Sequence, residues 1–420
     1  MRLWLWGDNS DGGIGDGTVI DRSSPVQTIT LGTTWKDANV GYGGVIALKE
    51  DGSLWTWGSS TDGVLGNLDD NNDVSSPVHI AQDKTWKSIG CADYYYGLSC
   101  AIDTNNKLYT WGYNGYGGLG LEDTNNRSSP VQVGTKDWLM ASAGAYITGA
   151  IDTNKKLWIV GYNGDGQLGL NDTTDRSSMT QVGNDDWDMI AVGYLSVLGI
   201  KTDGTLWAWG FNNDGELGFG DTEPRSSPVQ IGSASDWKLA TISTYHAAAI
   251  KNDGSLYTWG YNSNGQLGLG DDTYTSSPIQ VAGTWLDVNC GYYNTIGLKS
   301  DGTVWCWGAN YNGQLGDNTI ENRSSPVQIH ASKTGWTSVS TGYLSLALNG
   351  EEPTVSKSCS NLSCSTPAFK CYVGVTESCA CARWKFYTAQ CTRIQQSLGI
   401  CSGTSGAYVP AITVCNQKLF

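Results

Sequence analysis

A Trp-x-Trp-Gly core returns seven times along this chain at nearly constant spacing, and that recurrence restricts the fold to a repeat architecture. The copies are Trp4-Leu5-Trp6-Gly7, Trp55-Thr56-Trp57-Gly58, Tyr109-Thr110-Trp111-Gly112, Trp158-Ile159-Val160-Gly161, Trp207-Ala208-Trp209-Gly210, Tyr257-Thr258-Trp259-Gly260 and Trp305-Cys306-Trp307-Gly308. Successive glycines lie 51, 54, 49, 49, 50 and 48 residues apart. Periods of this length belong to solenoids, propellers and arrays, whose units bury their apolar faces only against neighbours.

Each unit repeats the same grammar. A polar turn ends in Gly and an apolar-Gly step, as in Asn163-Gly164-Asp165-Gly166-Gln167-Leu168-Gly169. Ser-Ser-Pro-Val-Gln follows (23–27, 128–132, 226–230 and 324–328), then a lone Trp: Trp35, Trp86, Trp138, Trp187, Trp237, Trp285 and Trp336. A short apolar stretch then reaches Asp51-Gly52, Asp203-Gly204, Asp253-Gly254 or Asp301-Gly302. Asp-Gly between strand formers predicts a type I′ hairpin, with positive φ at both central residues. Two units carry Thr104-Asn105-Asn106-Lys107 and Thr153-Asn154-Lys155-Lys156 instead, read as a longer polar turn. Alternating apolar and polar residues on both sides of these turns predict several short strands per unit and almost no helix. Ser-Ser-Pro suits an edge strand, where proline's missing N–H is no loss.

The last unit stops at Asn349-Gly350, a hairpin without its second strand, and the chain begins with that strand in Met1-Arg2-Leu3-Trp4-Leu5-Trp6-Gly7. The expected fold is therefore all-β: a seven-bladed β-propeller over 1–350, closed between its N- and C-terminal strands, which leaves no open sheet edge. A small Cys-rich domain of disulfide type is expected over 351–420. The propeller units resemble regulator of chromosome condensation repeats, and the resemblance spans residues 1–350 and implies the same seven-bladed fold. Val160 and Met179 depart from the motif in one unit, which reads as a packing variation.

All but one of the 19 Trp residues fall on repeat positions, the exception being Trp384. Core packing accounts for those positions, since large aromatics bury much area between blades. Light sensing, which one plant member of the family performs with a Trp cluster, is not expected. The corresponding segments here read Gly-Tyr or similar, with no Trp and no neighbouring Arg.

Charge weighs against the family's best-known activities. The chain has 25 Lys+Arg against 40 Asp+Glu, and residues 1–350 hold 19 against 37. A chromatin binder needs a basic patch or arm to neutralise phosphates, so nucleic-acid binding is not expected. The resemblance implies that nucleotide exchange would use a wedge inserted in one blade, and no interval leaves room for one. No enzyme is expected. His79 and His330 lie on or after the Ser-Ser-Pro-Val-Gln motif, and none of these or His246 is set against a nucleophile. Asp8-Asn9-Ser10-Asp11-Gly12 catches only part of a calcium-loop pattern, so neither metal nor cofactor is assigned. The recurrent Arg22, Arg127, Arg176, Arg225 and Arg323 read as a repeated structural contact.

The candidate binding residues are tyrosines. One follows each lone Trp by seven or eight positions: Tyr42, Tyr94, Tyr146, Tyr194, Tyr245, Tyr292 and Tyr343. Propeller symmetry gathers them toward one face around the channel. The polar turns offer a second ring in Tyr113, Tyr116, Tyr162, Phe211, Tyr261 and Tyr311. Tyrosine joins a flat apolar ring to a polar tip, which suits protein interfaces and sugar faces. Repetition alone would also produce such rings.

After Gly350 the composition changes. Glu351-Glu352-Pro353 reads as a linker, and eight cysteines follow: Cys359, Cys364, Cys371, Cys379, Cys381, Cys391, Cys401 and Cys415. Disulfides substitute for a core in so small a segment, with zinc and reduced thiols as alternatives, and eight cysteines allow 105 pairings. The four propeller cysteines read as core residues. A disulfide module implies an oxidising place, yet Met1 leads straight into a strand with no signal peptide, and no stretch is apolar enough to span a membrane. Either Met1 follows a trimmed or recombinant start, or the protein leaves the cell without a secretion signal, as virion proteins released by lysis do. The expectation is a non-enzymatic structural or binding protein of a virus particle (phage tail, fibre or capsid surface), facing a host glycan or neighbouring protein subunits, and located on the virion or outside the cell. The alternatives are an intracellular protein-interaction scaffold, cytoplasmic with a reduced or zinc-bound tail, or a secreted cell-surface adhesin.

Overall fold

The computed structural model describes residues 1–29, 34–41, 43–68, 72–91, 97–329 and 333–350, together with the backbone of Phe369–Val373, Cys379–Phe386 and Tyr408–Pro410. Two units divide at 350: Met1–Gly350 and Glu351–Phe420.

The first unit holds seven four-stranded antiparallel sheets. In one blade, Trp35–Val40, Gly44–Lys49, Leu54–Gly58 and Val74–Ile80 lie side by side in that order. Strands starting at the lone Trp are innermost: residues from all seven, such as Val40, Ile89, Met140, Ile190, Ala240, Val288 and Val339, line one central cavity of about 310 Å³. The Ser-Ser-Pro strand is outermost in each blade, the edge position its proline favours. One sheet joins both ends of the unit, in the order Arg22–Gln27, Arg2–Gly7, Leu344–Asn349, Trp336–Thr341, with Arg2 opposite Asn349 and Gly7 opposite Leu344.

Antiparallel order gives the propeller two chemically distinct ends. The inner turns (144–146, for example) and the polar loops after Trp-x-Trp-Gly share one, here the loop end. Hairpins such as 50–52 and the connections into each lone Trp share the other, the hairpin end.

The hairpins differ from the type I′ expectation. Lys49 N donates to Ser53 O and Gly52 N to Lys49 O, and of the loop residues only Gly52 has positive φ, at 81°. This is a three-residue loop with its left-handed residue last, the G1-bulge arrangement. Asp51 contributes its side chain, Oδ1 accepting from Ser53 N at 2.9 Å. The Asn-Asn-Lys and Asn-Lys-Lys turns are not longer: they keep the same frame, and Asn106 and Lys155, each at φ 65°, occupy the glycine position.

The second Trp of the motif locks blades together. Trp259 is fully buried, and its Nε1 donates 2.8 Å to Glu216 O in the preceding blade. Trp57 to Gly13, Trp111 to Val64, Trp209 to Gln167, Trp307 to Gln266 and Trp6 to Gln314 repeat the bond. Burial of each indole removes on the order of 200 Å² from water, roughly 4–5 kcal/mol before ordering entropy is counted. The glycine of the apolar-Gly step lies on that ring: a Cβ on Gly218 would stand 2.9 Å from Trp259 Nε1. Ser-Ser-Pro completes each joint through the first Ser, whose carbonyl accepts from the neighbouring loop, as in Asn171 N to Ser226 O and Asn318 N to Ser23 O, both 2.7 Å.

In the second unit, Phe369–Val373, Cys379–Phe386 and Tyr408–Pro410 form one three-stranded sheet, with Cys371 opposite Cys381 in register. Cys371, Cys379 and Cys381 are described by backbone alone, and the remaining disulfide candidates, Cys359, Cys364, Cys391, Cys401 and Cys415, lie outside the described residues. In the propeller, Cys100 and Cys306 are buried thiols, Cys100 pushed up to about 12 by burial.

Candidate binding face

The loop end is built from an inner turn and a polar loop in each blade. Asn163 shows how a polar loop holds its shape. Fully buried, it donates through Nδ2 to Asp172 O and Thr174 O, while its Oδ1 accepts from Leu168 N at 2.9 Å. Asn114, Asn212, Asn262 and Asn310 repeat the acceptor bond to the apolar residue five positions on. The recurrent Arg ties down the far side of the loop: Arg22–Asp16 and Arg127–Asp123 at 2.6 Å, Arg176–Asp172 and Arg225–Asp221 at 2.7 Å, Arg323–Asp317 at 2.8 Å. Both sets are internal to the loop, and they fix what it presents.

What the loops present is aromatic. Tyr42 and Tyr94 lie outside the described residues. Of the other five inner-turn tyrosines, Tyr146 and Tyr194 have ring centroids 5.8 Å apart, Tyr245 and Tyr292 5.3 Å, and Tyr292 and Tyr343 5.1 Å in a stacked pair. Polar-loop tyrosines pack onto them. Tyr113, Tyr116 and Tyr162 lie 5.8, 5.0 and 6.3 Å from Tyr146, and Tyr261 lies 5.4 Å from Tyr245. The two rings read from the repeats thus merge into two clusters on one face, around Tyr146 and around Tyr245 and Tyr292. Tyr311 instead donates to Asn264 Oδ1 at 2.6 Å and is 61% exposed.

Sequence reasoning missed Tyr293 and Tyr274. Tyr293 stacks on Tyr245 at 5.2 Å, and Tyr274, 47% exposed, sits 4.5 Å from Tyr261. Tyr274 does not recur at the repeat period, whereas Tyr293 does: its carbonyl accepts from Ala309 N as that of Tyr245 accepts from Tyr261 N. The doubled Gly291-Tyr292-Tyr293 was the available signal. Burial pushes Tyr245 and Tyr293 up to about 12, so their hydroxyls stay protonated donors across the neutral range.

Carboxyls lie among the rings. Burial holds Asp165 and Asp214 above the ordinary range, as it does Asp11, where Asp73 and Asp8 add like-charge repulsion. Asp165 in turn raises Tyr162, after burial, and Asp214 adds to the rise at Tyr245 and Tyr274.

The hairpin end is different. Lys49 stands 3.8 Å over Trp55, Lys201 3.3 Å over Trp207 and Lys299 3.7 Å over Trp305, and Trp55 and Trp207 pack edge-on to the lone Trp35 and Trp187. The central cavity is lined by Asn39, Asp287, Asn289, Ser338 and Ser340 from three adjacent blades, and by Met140, Met189 and Leu239 from three others, where Ser142 and Thr241 also reach it. Asp287 is pushed up to about 6 by burial, Asp37 adding a like charge, while Val288 N and Val339 N donate to it.

The two described histidines make packing and hydrogen-bond contacts within the propeller. His79 stacks on Trp55 at 5.0 Å, and buried His246, pushed down to about 3 by desolvation, bonds Thr295 Oγ1 through Nε2 at 2.7 Å. His330 lies outside the described residues. Among the described residues, no group of three or more His, Cys, Asp or Glu is placed to hold a metal, and no helix is long and apolar enough to cross a membrane.

Fold and face together define a seven-bladed β-propeller with an aromatic loop end. The regulator of chromosome condensation (RCC1) repeat model matches residues 51–97, 105–151, 203–250, 253–298 and 301–347, more than half of the chain, and a second RCC1 repeat model matches 285–314. The chain belongs to the RCC1 repeat family.

It is 28% identical over 144 residues to the Arabidopsis thaliana RCC1 domain-containing protein RUG3, mitochondrial, covering 31% of each. It is 31% identical over 136 residues to the Ultraviolet-B receptor UVR8 of the same plant, covering 32% of this chain and 30% of the receptor. The match thus spans less than a third of either relative. Human WBSCR16 shares the fold, with a TM-score of 0.74 and 19% identity over 84% of this chain and 100% of that one. Yeast RCC1 (Prp20), solved bound to Kap60, gives the same score and identity over 84% of this chain and 89% of that one.

These relatives correct the functional expectation. They are cellular proteins of plants, humans and yeast, and the virus-particle reading gives way, together with its phage-tail and capsid settings and its virion or extracellular location. That reading rested on the cysteine tail and on composition, which speak of habitat and carry no information about ancestry.

Proposed function

We propose that the chain is a non-catalytic protein-interaction scaffold, the intracellular alternative read from the sequence, and that it engages a protein partner through the tyrosine-bearing loop end. The observation that carries this reading is the convergence of tyrosines from separate blades into two contacting clusters. Packing between blades is already supplied by the buried indoles, so these partly exposed rings are left over from the core. Half-buried tyrosines held rigid by their neighbours give up little side-chain entropy when a partner covers them, which is why such residues dominate interface hot spots. Protein partners also suit the family: yeast RCC1 (Prp20) is solved bound to Kap60, and a second structure of the same protein accompanies its binding to Gsp1p and histones.

Photo-cross-linking in extracts of the source cells tests this. A cross-linking residue at Tyr116 or Tyr274, both on the loop end, is expected to yield the same discrete protein adduct. One at Leu139, exposed at the start of an inner strand near the hairpin end, is expected to yield none. Adducts from neither loop-end position, or equally from both ends, would overturn the reading.

A further inference from the structure

Lysines avoid the loop end. All thirteen lysines of residues 1–350 lie in hairpins, in the connections leading to a lone Trp, or beside strand termini at the hairpin end. The cations carried by the polar loops and the outer-strand starts are Arg22, Arg127, Arg176, Arg225 and Arg323, and each is already held by an aspartate of its own loop at 2.6–2.8 Å. Further carboxylates remain there, among them Asp8, Asp11, Asp73, Asp165, Asp175 and Asp214. Acid is therefore concentrated where the tyrosines are, and the basic side chains that would balance it stand at the far end.

From this segregation, and on the basis of the protein-binding reading above, we infer that the loop end takes a lysine- and arginine-rich segment of its partner. The chemistry fits twice. A cation between Asp165 and Tyr162, or between Asp214 and Tyr245, meets a carboxylate and a ring face together, and cation–π attraction strengthens as water leaves. Partial burial already penalises the carboxyls of Asp165 and Asp214, and at Asp11 neighbouring Asp73 and Asp8 add repulsion, so a partner cation relieves an existing cost. An acidic segment or a nucleic acid would meet like charge on this face.

A fluorescein-labelled peptide alternating lysine and arginine with glycine, titrated into the full chain and followed by anisotropy, provides the test. Wild-type protein is expected to bind it, with affinity falling as salt rises. The double variant Asp165→Asn/Asp214→Asn, and separately Tyr116→Ser, is expected to weaken binding about tenfold and about threefold. Asp137→Asn/Asp186→Asn removes the same two charges from the hairpin end and is expected to stay within about twofold. Equal weakening by the two aspartate pairs would reduce the effect to bulk net charge and overturn the inference, as would absence of binding. Loop-end cross-links to a partner without peptide binding would overturn this inference alone, whereas absence of loop-end cross-links overturns the scaffold reading beneath it.

Discussion

Thr148 Oγ1 donates 2.8 Å to the carbonyl of Gly118, at the one joint where the neighbouring blade offers Val160 in place of the usual indole. At the joints that carry both the indole and a hydroxyl, the equivalent carbonyl accepts two bonds, whereas Val45, Val197 and Ala247 elsewhere leave it to the indole alone. Val64 O receives Trp111 Nε1 and Ser99 Oγ, and Gln266 O receives Trp307 Nε1 and Thr295 Oγ1. The missing tryptophan thus leaves a hydroxyl to satisfy a buried carbonyl. Thr148→Val preserves shape and removes that donor, and is expected to cost about 2 kcal/mol. Ser99→Ala, with Trp111 still bonded to Val64 O, should cost about half as much. Chemical denaturation of the two variants side by side reads the difference.

Glu216 occupies a slot that Gln167, Gln266 and Gln314 fill in other blades. Its Oε2 accepts from Asp214 N at 3.0 Å, as Gln167 Oε1 accepts from Asp165 N, and burial pushes its carboxyl up to about 8. The folded protein keeps a proton that the unfolded chain releases above its ordinary value of 4.5. Stability therefore falls as pH rises from there to about 8 and is level beyond, a deficit on the order of 3 kcal/mol at neutrality. Glu216→Gln carries the amide permanently. It is expected to be more stable by about 2–3 kcal/mol at pH 7 and indistinguishable from wild type below pH 4, as thermal unfolding across pH would show.

Lys155 holds a left-handed backbone conformation at φ 65° in the position Gly204 and Gly254 take in the next two blades. A side chain there costs about 1 kcal/mol, and the exposed pair Lys155–Asp188 returns little of it. Lys155→Gly is expected to stabilise by about 0.5–1 kcal/mol, less than the full strain because glycine also loosens the unfolded chain. A shift of the unfolding midpoint toward lower denaturant would count against this.

Asn163 links core to surface. Asn163→Ala removes the acceptor for Leu168 N and the donors to Asp172 O and Thr174 O, and is expected to cost about 2–3 kcal/mol. Because Tyr162 and Asp165 ride on this loop, hydrogen exchange should quicken across 162–175 while the inner strand Trp187–Val192 stays protected.

The parts of this molecule legible in its sequence are those that repeat. Strand count, blade number and the burial of Trp57 or Trp259 follow from periodicity, because every blade solves the same packing problem. The turn at Asp51-Gly52 was misread because Asp-Gly serves two hairpin geometries, and only backbone dihedrals distinguish them. The inner-turn tyrosines were visible as a series, but their meeting with Tyr113 and Tyr261 depends on which strand ends share a side. Tyr274 falls outside the period and carries no signal in it, while Tyr293 keeps the period of Tyr245 and Tyr343 but is masked by Tyr292 when positions are counted from the lone Trp. The bond of Thr148 to Gly118 was hidden as well, since Val160 reads as a packing variation until the carbonyl it leaves to that hydroxyl is located.

The sheet that pairs Arg2–Gly7 with Leu344–Asn349 sets the order in which the molecule can assemble. Six sheets draw their four strands from one continuous stretch and can form as soon as that stretch exists. The seventh must wait for partners more than three hundred residues apart, with the loop-closure entropy of the whole unit to overcome. Its hydrogen bonds are then expected to form last on the way in and, under mechanical or thermal stress, to part first, opening the propeller as a row of blades before any single blade melts.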